Sequence, residues 1–291
     1  MSGTHASLLV FGKSGQVAAA LAEAGGATCL GRGDVDVLSR ESVAAAISAH
    51  APQAVINAAA YTAVDKAESD REQAMALNAV APGAIAWACA AADVPLVHLS
   101  TDYVFDGAGG APYPEGAPVS PLNVYGESKA RGEGAVLSAS GRAAVLRTSW
   151  VFSERPGNFV TTMLRLAGER EEIRVVADIA GRPTSSHSLA SACIALADAM
   201  MDDRSAGGVY HFTNDGEASW SVLAEAVMDE ARTRGWKAAR IRPIASADHP
   251  AQARRPQDSR LATGRIERLL GRIAPHWRVA LGETLDRLGR V

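Results

Sequence analysis

The sequence predicts an α/β protein, a doubly wound parallel sheet followed by a smaller C-terminal substrate-binding part. Two observations carry that prediction. Short apolar runs such as Ser7–Phe11 and Ala54–Asn57 alternate with longer Ala- and Leu-rich segments as far as Trp150, the pattern of buried parallel strands joined by crossover helices. The chain also has 291 residues, 47% of them hydrophobic, enough for one large layered domain with a smaller part attached.

Ser7–Phe11 ends at a glycine and reads as the first buried strand. Val17–Ala24 reads as a helix and Thr28–Gly31 as a second strand. Ser39 suits the N-cap of a helix through His50. Ala54–Asn57 gives a third strand, Glu72–Ala92 a long helix, and Pro95–Ser100 a fourth strand. A helix near Val124–Ser138 leads to a fifth strand, Ala143–Thr148. Such alternation requires right-handed crossovers and helices on both faces of the sheet. The segment from Asp102 to Asn123 holds Pro112, Pro114, Pro118 and Pro121, and so long an irregular loop is expected to line a site. Past Trp150 the pattern is less regular. Helices are expected at Phe159–Gly168, Ser188–Met201 and Trp220–Arg234, and a strand at Gly208–Phe212. From Arg254 the chain is Arg-rich and reads as loop until a last helix near Leu281–Leu288.

A net charge of −3 with 21% charged residues argues against a disordered chain and against a nucleic-acid partner. Cys29, Cys89 and Cys193 are odd in number and widely scattered, which argues against a disulfide framework and a structural zinc site. The seven histidines show no paired metal-ligand spacing, and no metal is expected. Neither a signal peptide nor an uninterrupted apolar run of about 18 residues is visible, so no membrane partner and a cytoplasmic location are expected.

Gly12-Lys13-Ser14-Gly15-Gln16-Val17-Ala18 follows the first strand and opens the first helix. Glycines let such a turn close and bring backbone near a pyrophosphate, while the helix N-terminus offers free amides. This is the setting of a Rossmann-type dinucleotide site over residues 1–150, with residues 151–291 mainly serving the substrate and some segments returning to the sheet. The second strand ends Leu30-Gly31-Arg32-Gly33. Arg32 stands where an acid for the ribose 2′-hydroxyl is usual, and an Arg there can face a 2′-phosphate. NADPH is therefore expected, with NADH able to serve. The alternative is a solvated Arg32, with Asp34 or Asp36 holding the ribose.

Tyr125-Gly126-Glu127-Ser128-Lys129 places a phenol and an ammonium one helical turn apart. Only four lysines occur in the chain, which makes such a pair rare by chance. The ammonium is expected to draw the phenol pKa toward neutrality, fitting Tyr125 to protonate an alkoxide. Thr101 and Asp102 end the fourth strand, the edge where ligands bind in open α/β sheets.

In these features the chain resembles the extended short-chain dehydrogenase/reductases and, within them, the dTDP-4-dehydrorhamnose reductase family. The matching stretches are FGKSGQV (11–17), NAAAYTAVDKAE (57–68), HLSTDYVFDG (98–107), SPLNVYGESK (120–129), LRTSWVF (146–152) and RPQDSRL (255–261). The resemblance implies reduction of a dTDP-sugar ketone by a homodimer. Tyr125 would be the proton donor, Lys129 would hold the nicotinamide ribose, and Thr101 would orient the ketone. Gly12, Gly15, Gln16 and Val17 would cradle the pyrophosphate, Asp36 and Val37 would lie on the adenine side, and Ala60, Tyr61 and Thr62 would line the cofactor; Arg32 departs from the acidic residue that many relatives carry there. Asp102, Trp150, Asn158, Arg255 and Ser259 would face the substrate. A reductase of another dTDP-4-keto-6-deoxyhexose and a non-catalytic regulatory subunit of the same fold stay open as alternatives.

Overall fold

The computed structural model describes residues 7–109, 112–139, 142–249 and 251–289. Its centre is a six-stranded parallel sheet built from β1 (Leu8–Phe11), β2 (Ala27–Leu30), β3 (Ala54–Asn57), β4 (Leu96–Thr101), β5 (Ala143–Thr148) and the later strand Gly208–His211. Across the sheet the order is Gly208–His211, β5, β4, β3, β1, β2. The order reverses between β1 and β3, which opens a crevice at their C-terminal ends. Phe11 is in register with both Leu30 and Asn57, and Thr101 with Thr148, so the strand ends line up along one edge.

Every residue of β1, β3 and β5 is buried, as expected for strands covered on both faces. Helices α1 (Gln16–Glu23) and Ser186–Asp202 cover one face, packing Ala18, Leu21, Leu189 and Leu196 against Leu8, Val10 and Ile56. Helix α2 (Arg40–His50) and the helices Ala81–Ala91 and Val124–Ala139 cover the other, through Val43, Ile47, Ile85 and Val136. Ser39 caps α2 by accepting from the Ser42 amide at 3.1 Å, as its position predicts.

The expected long helix before β4 is the run Arg71–Met75, a π-turn over Ala76–Val80, and Ala81–Ala91. Among the described residues this Arg71–Ala91 run is long and apolar enough, by length and composition, to cross a membrane, yet half of its most apolar window is buried inside the protein. It packs on α2 and on Val124–Ala139 as a core helix.

A second core gathers Trp150, Phe152, Val160, Ile173, Leu223 and Trp277. Two parallel strands there, Glu172–Val176 and Arg240–Ile244, were not expected from the sequence. The tail also departs from the loop expected of it: Gly264–Leu270 is helical, stopped by Gly271 at φ +63, and the last helix starts at Trp277. Tail and loop order one another. Tyr113 and Arg260–Ala262 exchange backbone hydrogen bonds, Tyr113 N to Arg260 O at 2.7 Å and Ala262 N to Tyr113 O at 2.8 Å.

Candidate active site

Gly12 sits at φ +124, and a Cβ there would lie 3.0 Å from the Ala58 carbonyl carbon. Only glycine lets the β1 turn close against the end of β3. Gly15 is the N-cap of α1, and a Cβ there would meet nothing within 4 Å. That open space at the start of α1 leaves room for an anion beside the first-turn amides. Gln16 is anchored, its Oε1 accepting from Ser153 Oγ at 2.7 Å, and Val17 is half-buried beside it.

After β2, Arg32 is exposed. Asp34 is engaged in the turn itself, accepting from the Gly31 amide at 2.8 Å and from Lys13 Nζ at 3.1 Å. The Asp36 carboxylate accepts from the Leu38 amide at 3.0 Å, and Val37 is half-buried. Two cations, Lys13 and Arg32, thus flank the end of β2.

Ala60, Tyr61 and Thr62 follow β3. Buried Asn78, on the π-turn, clamps this segment: its Oδ1 accepts from the Tyr61 amide at 2.8 Å, and its Nδ2 donates to Tyr61 O and Ser128 Oγ, both at 2.9 Å. Asn78 thereby ties the segment after β3 to the helix carrying Tyr125 and Lys129. No signal in the sequence marks it, because a π-turn has no signature comparable to a glycine turn.

The structure brings Thr101, Tyr125 and Lys129 together at the end of β4. Thr101 Oγ1 accepts from the Tyr103 amide at 3.2 Å and donates to Asp102 Oδ1 at 3.0 Å. Burial raises the Tyr125 phenol to about 12, offset by its hydrogen bond with Thr101 and reinforced by the Asp102 charge. The expected drop toward neutrality is not found. Lys129 is buried, its Nζ donates to Leu99 O at 2.6 Å, and desolvation lowers it to about 8. The ammonium is directed to a carbonyl, and desolvation governs both groups.

Asp102 is buried, and burial raises it to about 7 despite hydrogen bonds from Ser259 and Thr101. Ser259 Oγ donates to Asp102 Oδ2 at 2.5 Å. Arg255 closes on Asp65, Nη2 to Oδ2 at 2.6 Å, and holds that carboxyl below its usual range. Segment 253–259 is therefore tied at Arg255 to the short helix Val64–Ala67 and at Ser259 to Asp102, just after β4.

Trp150 is buried at φ +48 and stacks on Trp220 with ring centroids 3.6 Å apart. Gly181 permits this, since a Cβ there would come within 2.2 Å of the indole. The Asn158 amide is engaged at both ends: Oδ1 accepts from Thr161 N at 3.2 Å and Nδ2 donates to Arg155 O at 2.6 Å. It caps the helix Phe159–Glu169, so its side chain as placed serves the fold. Beside it a cavity of about 1000 Å³ is lined by Phe159, Trp220, Arg170, Arg174, Arg254 and Arg255. Elsewhere Glu23, Glu154 and His187 bring potential metal-ligand atoms within 4.8 Å of one another, although Arg155 already reaches Glu23 at 3.3 Å.

Residues 6–290 match the family model described as the RmlD substrate binding domain. A dTDP-4-dehydrorhamnose reductase of Sinorhizobium fredii is 44% identical over 279 residues, covering 93% of each chain. That of Escherichia coli K12 is 37% identical over 291 residues, covering 97% of each. The crystal structure of dTDP-4-dehydrorhamnose reductase from Bacillus anthracis in complex with NADP superposes with a TM-score of 0.89 at 31% identity, covering 98% of this chain and 100% of that one. On the family match and these identities, the chain belongs to the dTDP-4-dehydrorhamnose reductase family.

Proposed function

We propose that this protein reduces the C4 ketone of dTDP-4-dehydro-L-rhamnose to give dTDP-L-rhamnose, using NADPH in preference to NADH. The observation that carries the reading is the grouping of Thr101, Tyr125 and Lys129 at the end of β4. A glycine turn with open space at Gly15 and a cavity lined by aromatic and Arg side chains, among them Arg255 of the segment tied to Asp65, offer places for the two ligands. Residues 1–150 would hold the dinucleotide and residues 151–291 mainly the nucleotide sugar.

The glycine turn fits a dinucleotide because the Gly15 position is unfilled and the α1 amides are free to donate. When bound, the dinucleotide supplies a hydride to the ketone carbon. Tyr125 donates its phenolic proton to the oxygen that becomes the alkoxide. A phenol held at about 12 is fully protonated at neutral pH, and an alkoxide is more basic still, so the transfer runs downhill. Thr101 orients the carbonyl oxygen toward Tyr125, and Lys129 holds the nicotinamide ribose. In the cavity, Phe159 and Trp220 offer faces to a base, and the arginines offer donors to a diphosphate.

Lys13 and Arg32 beside the end of β2 support the NADPH preference, since both are cations where the adenosine 2′-phosphate would lie. The family resemblance supports a homodimer, to be tested by light scattering. The three free cysteines fit a reducing, cytoplasmic setting. The test of function is NADPH oxidation with dTDP-4-dehydro-L-rhamnose, with the product and its C4 configuration identified by NMR. Stoichiometric formation of dTDP-L-rhamnose is expected. Tight NADPH binding without turnover would instead favour a regulatory subunit.

A further inference from the structure

One helical turn beyond Lys129 stands Glu133, 4% exposed and engaged on every side. Its Oε1 accepts from Ser100 Oγ at 2.6 Å and from Arg147 Nε at 2.9 Å, and its Oε2 accepts from Arg147 Nη2 at 2.7 Å. Ser100 is the neighbour of Thr101 on β4, and Arg147 the neighbour of Thr148 on β5. The carboxylate therefore joins the catalytic helix to both strands that end at the site. A buried bidentate ion pair is costly to form and is weak evidence of stabilisation by itself, which directs attention to what else its charge does.

The groups packed around Lys129 answer that. From β4 comes His98, buried, its Nδ1 against the Asn57 amide at 3.0 Å, and kept neutral by burial and by the Lys129 charge. From the turn after β4 come Asp102 and Tyr103, the first engaged with Thr101 and Ser259. From β5 comes Arg147, whose far side meets His211, a histidine held neutral by burial. From the π-turn comes uncharged Asn78, bonded to Ser128. Arg71 meets Glu127 on the outer face of the helix. On its own helix Lys129 has Tyr125 one turn before and Glu133 one turn after. Burial works against the ammonium, and the Glu133 charge is what opposes that loss.

We propose that Glu133 is a positioning residue that keeps Lys129 protonated during turnover, with Arg147 and Ser100 fixing the carboxylate in place. The proposal rests on the reading of Lys129 as the group that holds the ribose beside Tyr125. No atom of Glu133 need touch substrate or cofactor.

The test is the pH dependence of kcat and of NADPH affinity in three variants. The ammonium form of Lys129 is the working form, so activity falls as pH rises through its pKa. Glu133→Gln is expected to move that alkaline limb down by about one pH unit or more, losing roughly tenfold at a fixed pH on the limb and recovering at lower pH. Because Glu133→Gln leaves Arg147 buried and unpaired, Glu133→Gln/Arg147→Met removes the pair together. This double variant is expected to regain wild-type thermal stability while keeping the shifted limb. A pH-independent loss in the single variant, with a wild-type limb in the double variant, would overturn the proposal in favour of a purely structural pair. Lys129→Met separates the underlying reading: it is expected to lose turnover and weaken NADPH binding. Retention of both would show that the reading of Lys129 had failed, and the proposal with it.

Discussion

Gly126→Ala should damage stability and turnover together, because residue 126 is where the helix carrying Tyr125 and Lys129 touches the turn after β4. A Cβ there would lie 2.1 Å from the Tyr103 carbonyl oxygen and 2.9 Å from its carbon. Carbon and oxygen relax at roughly 3.3 Å or more, so helix or turn must yield by about 1 Å. Overpacking of that kind costs about 1–3 kcal/mol, offset by the ~0.5–1 kcal/mol that Ala gains over Gly inside a helix. A net loss of about 1–2 kcal/mol in urea unfolding is expected. The same shift displaces Tyr125 and Lys129 from Thr101, and a misplacement of ~1 Å can cost on the order of a hundredfold in rate. Gly134→Ala is the matched control on the same helix, since a Cβ there meets nothing within 4 Å. It should gain ~0.5–1 kcal/mol and leave initial rates of NADPH oxidation unchanged. If Gly126→Ala unfolds at or above the wild-type midpoint with full turnover, the steric reasoning is wrong.

Three further outcomes follow from the same geometry. Arg32→Ala should lower the ratio of kcat/KM for NADPH over NADH by about tenfold or more, the worth of a charge-assisted contact; an unchanged ratio would show that Arg32 is only solvated. Trp277→Ala should cost about 3–5 kcal/mol of unfolding free energy, since the indole is 1% exposed within the second core, with NADPH affinity little changed. Asp65→Asn should raise KM for the nucleotide sugar by loosening segment 253–259, while costing at most about 1 kcal/mol, because the Asp65–Arg255 pair is partly solvated. The Asp65 pKa is lowered in the folded protein, so its stabilisation is present above the ordinary carboxylate range and is lost as pH falls through the lowered value.

The central sheet was legible because strands covered on both faces must be continuous apolar runs, and Leu8–Phe11, Ala54–Asn57 and Ala143–Thr148 are short enough to be nothing else. Glu172–Val176 and Arg240–Ile244 were not legible. They form a two-stranded sheet whose Arg-Ile-Arg-Pro-Ile strand is largely exposed, so neither alternation nor an apolar run marks it. The helix Gly264–Leu270 is equally hidden: it buries only Ile266, and its arginines read as loop. At the site, Tyr125, Lys129 and Thr101 were legible from spacing and from their place at a strand end. The direction of the Tyr125 shift was not, because burial sets it, and burial is a property of the folded chain. Asn78 and Glu133 escaped for a related reason. Their partners, Tyr61 and Arg147, are brought close only by the π-turn and by the register of β5.

Single-turnover reduction of dTDP-4-dehydro-L-rhamnose by Tyr125→Phe, with NADPH affinity measured in parallel, tests the central claim most directly. Removing the proton that Tyr125 is proposed to supply should slow hydride transfer by about 10²–10⁴-fold, while NADPH binding stays close to wild type. Wild-type hydride transfer in Tyr125→Phe would contradict the account.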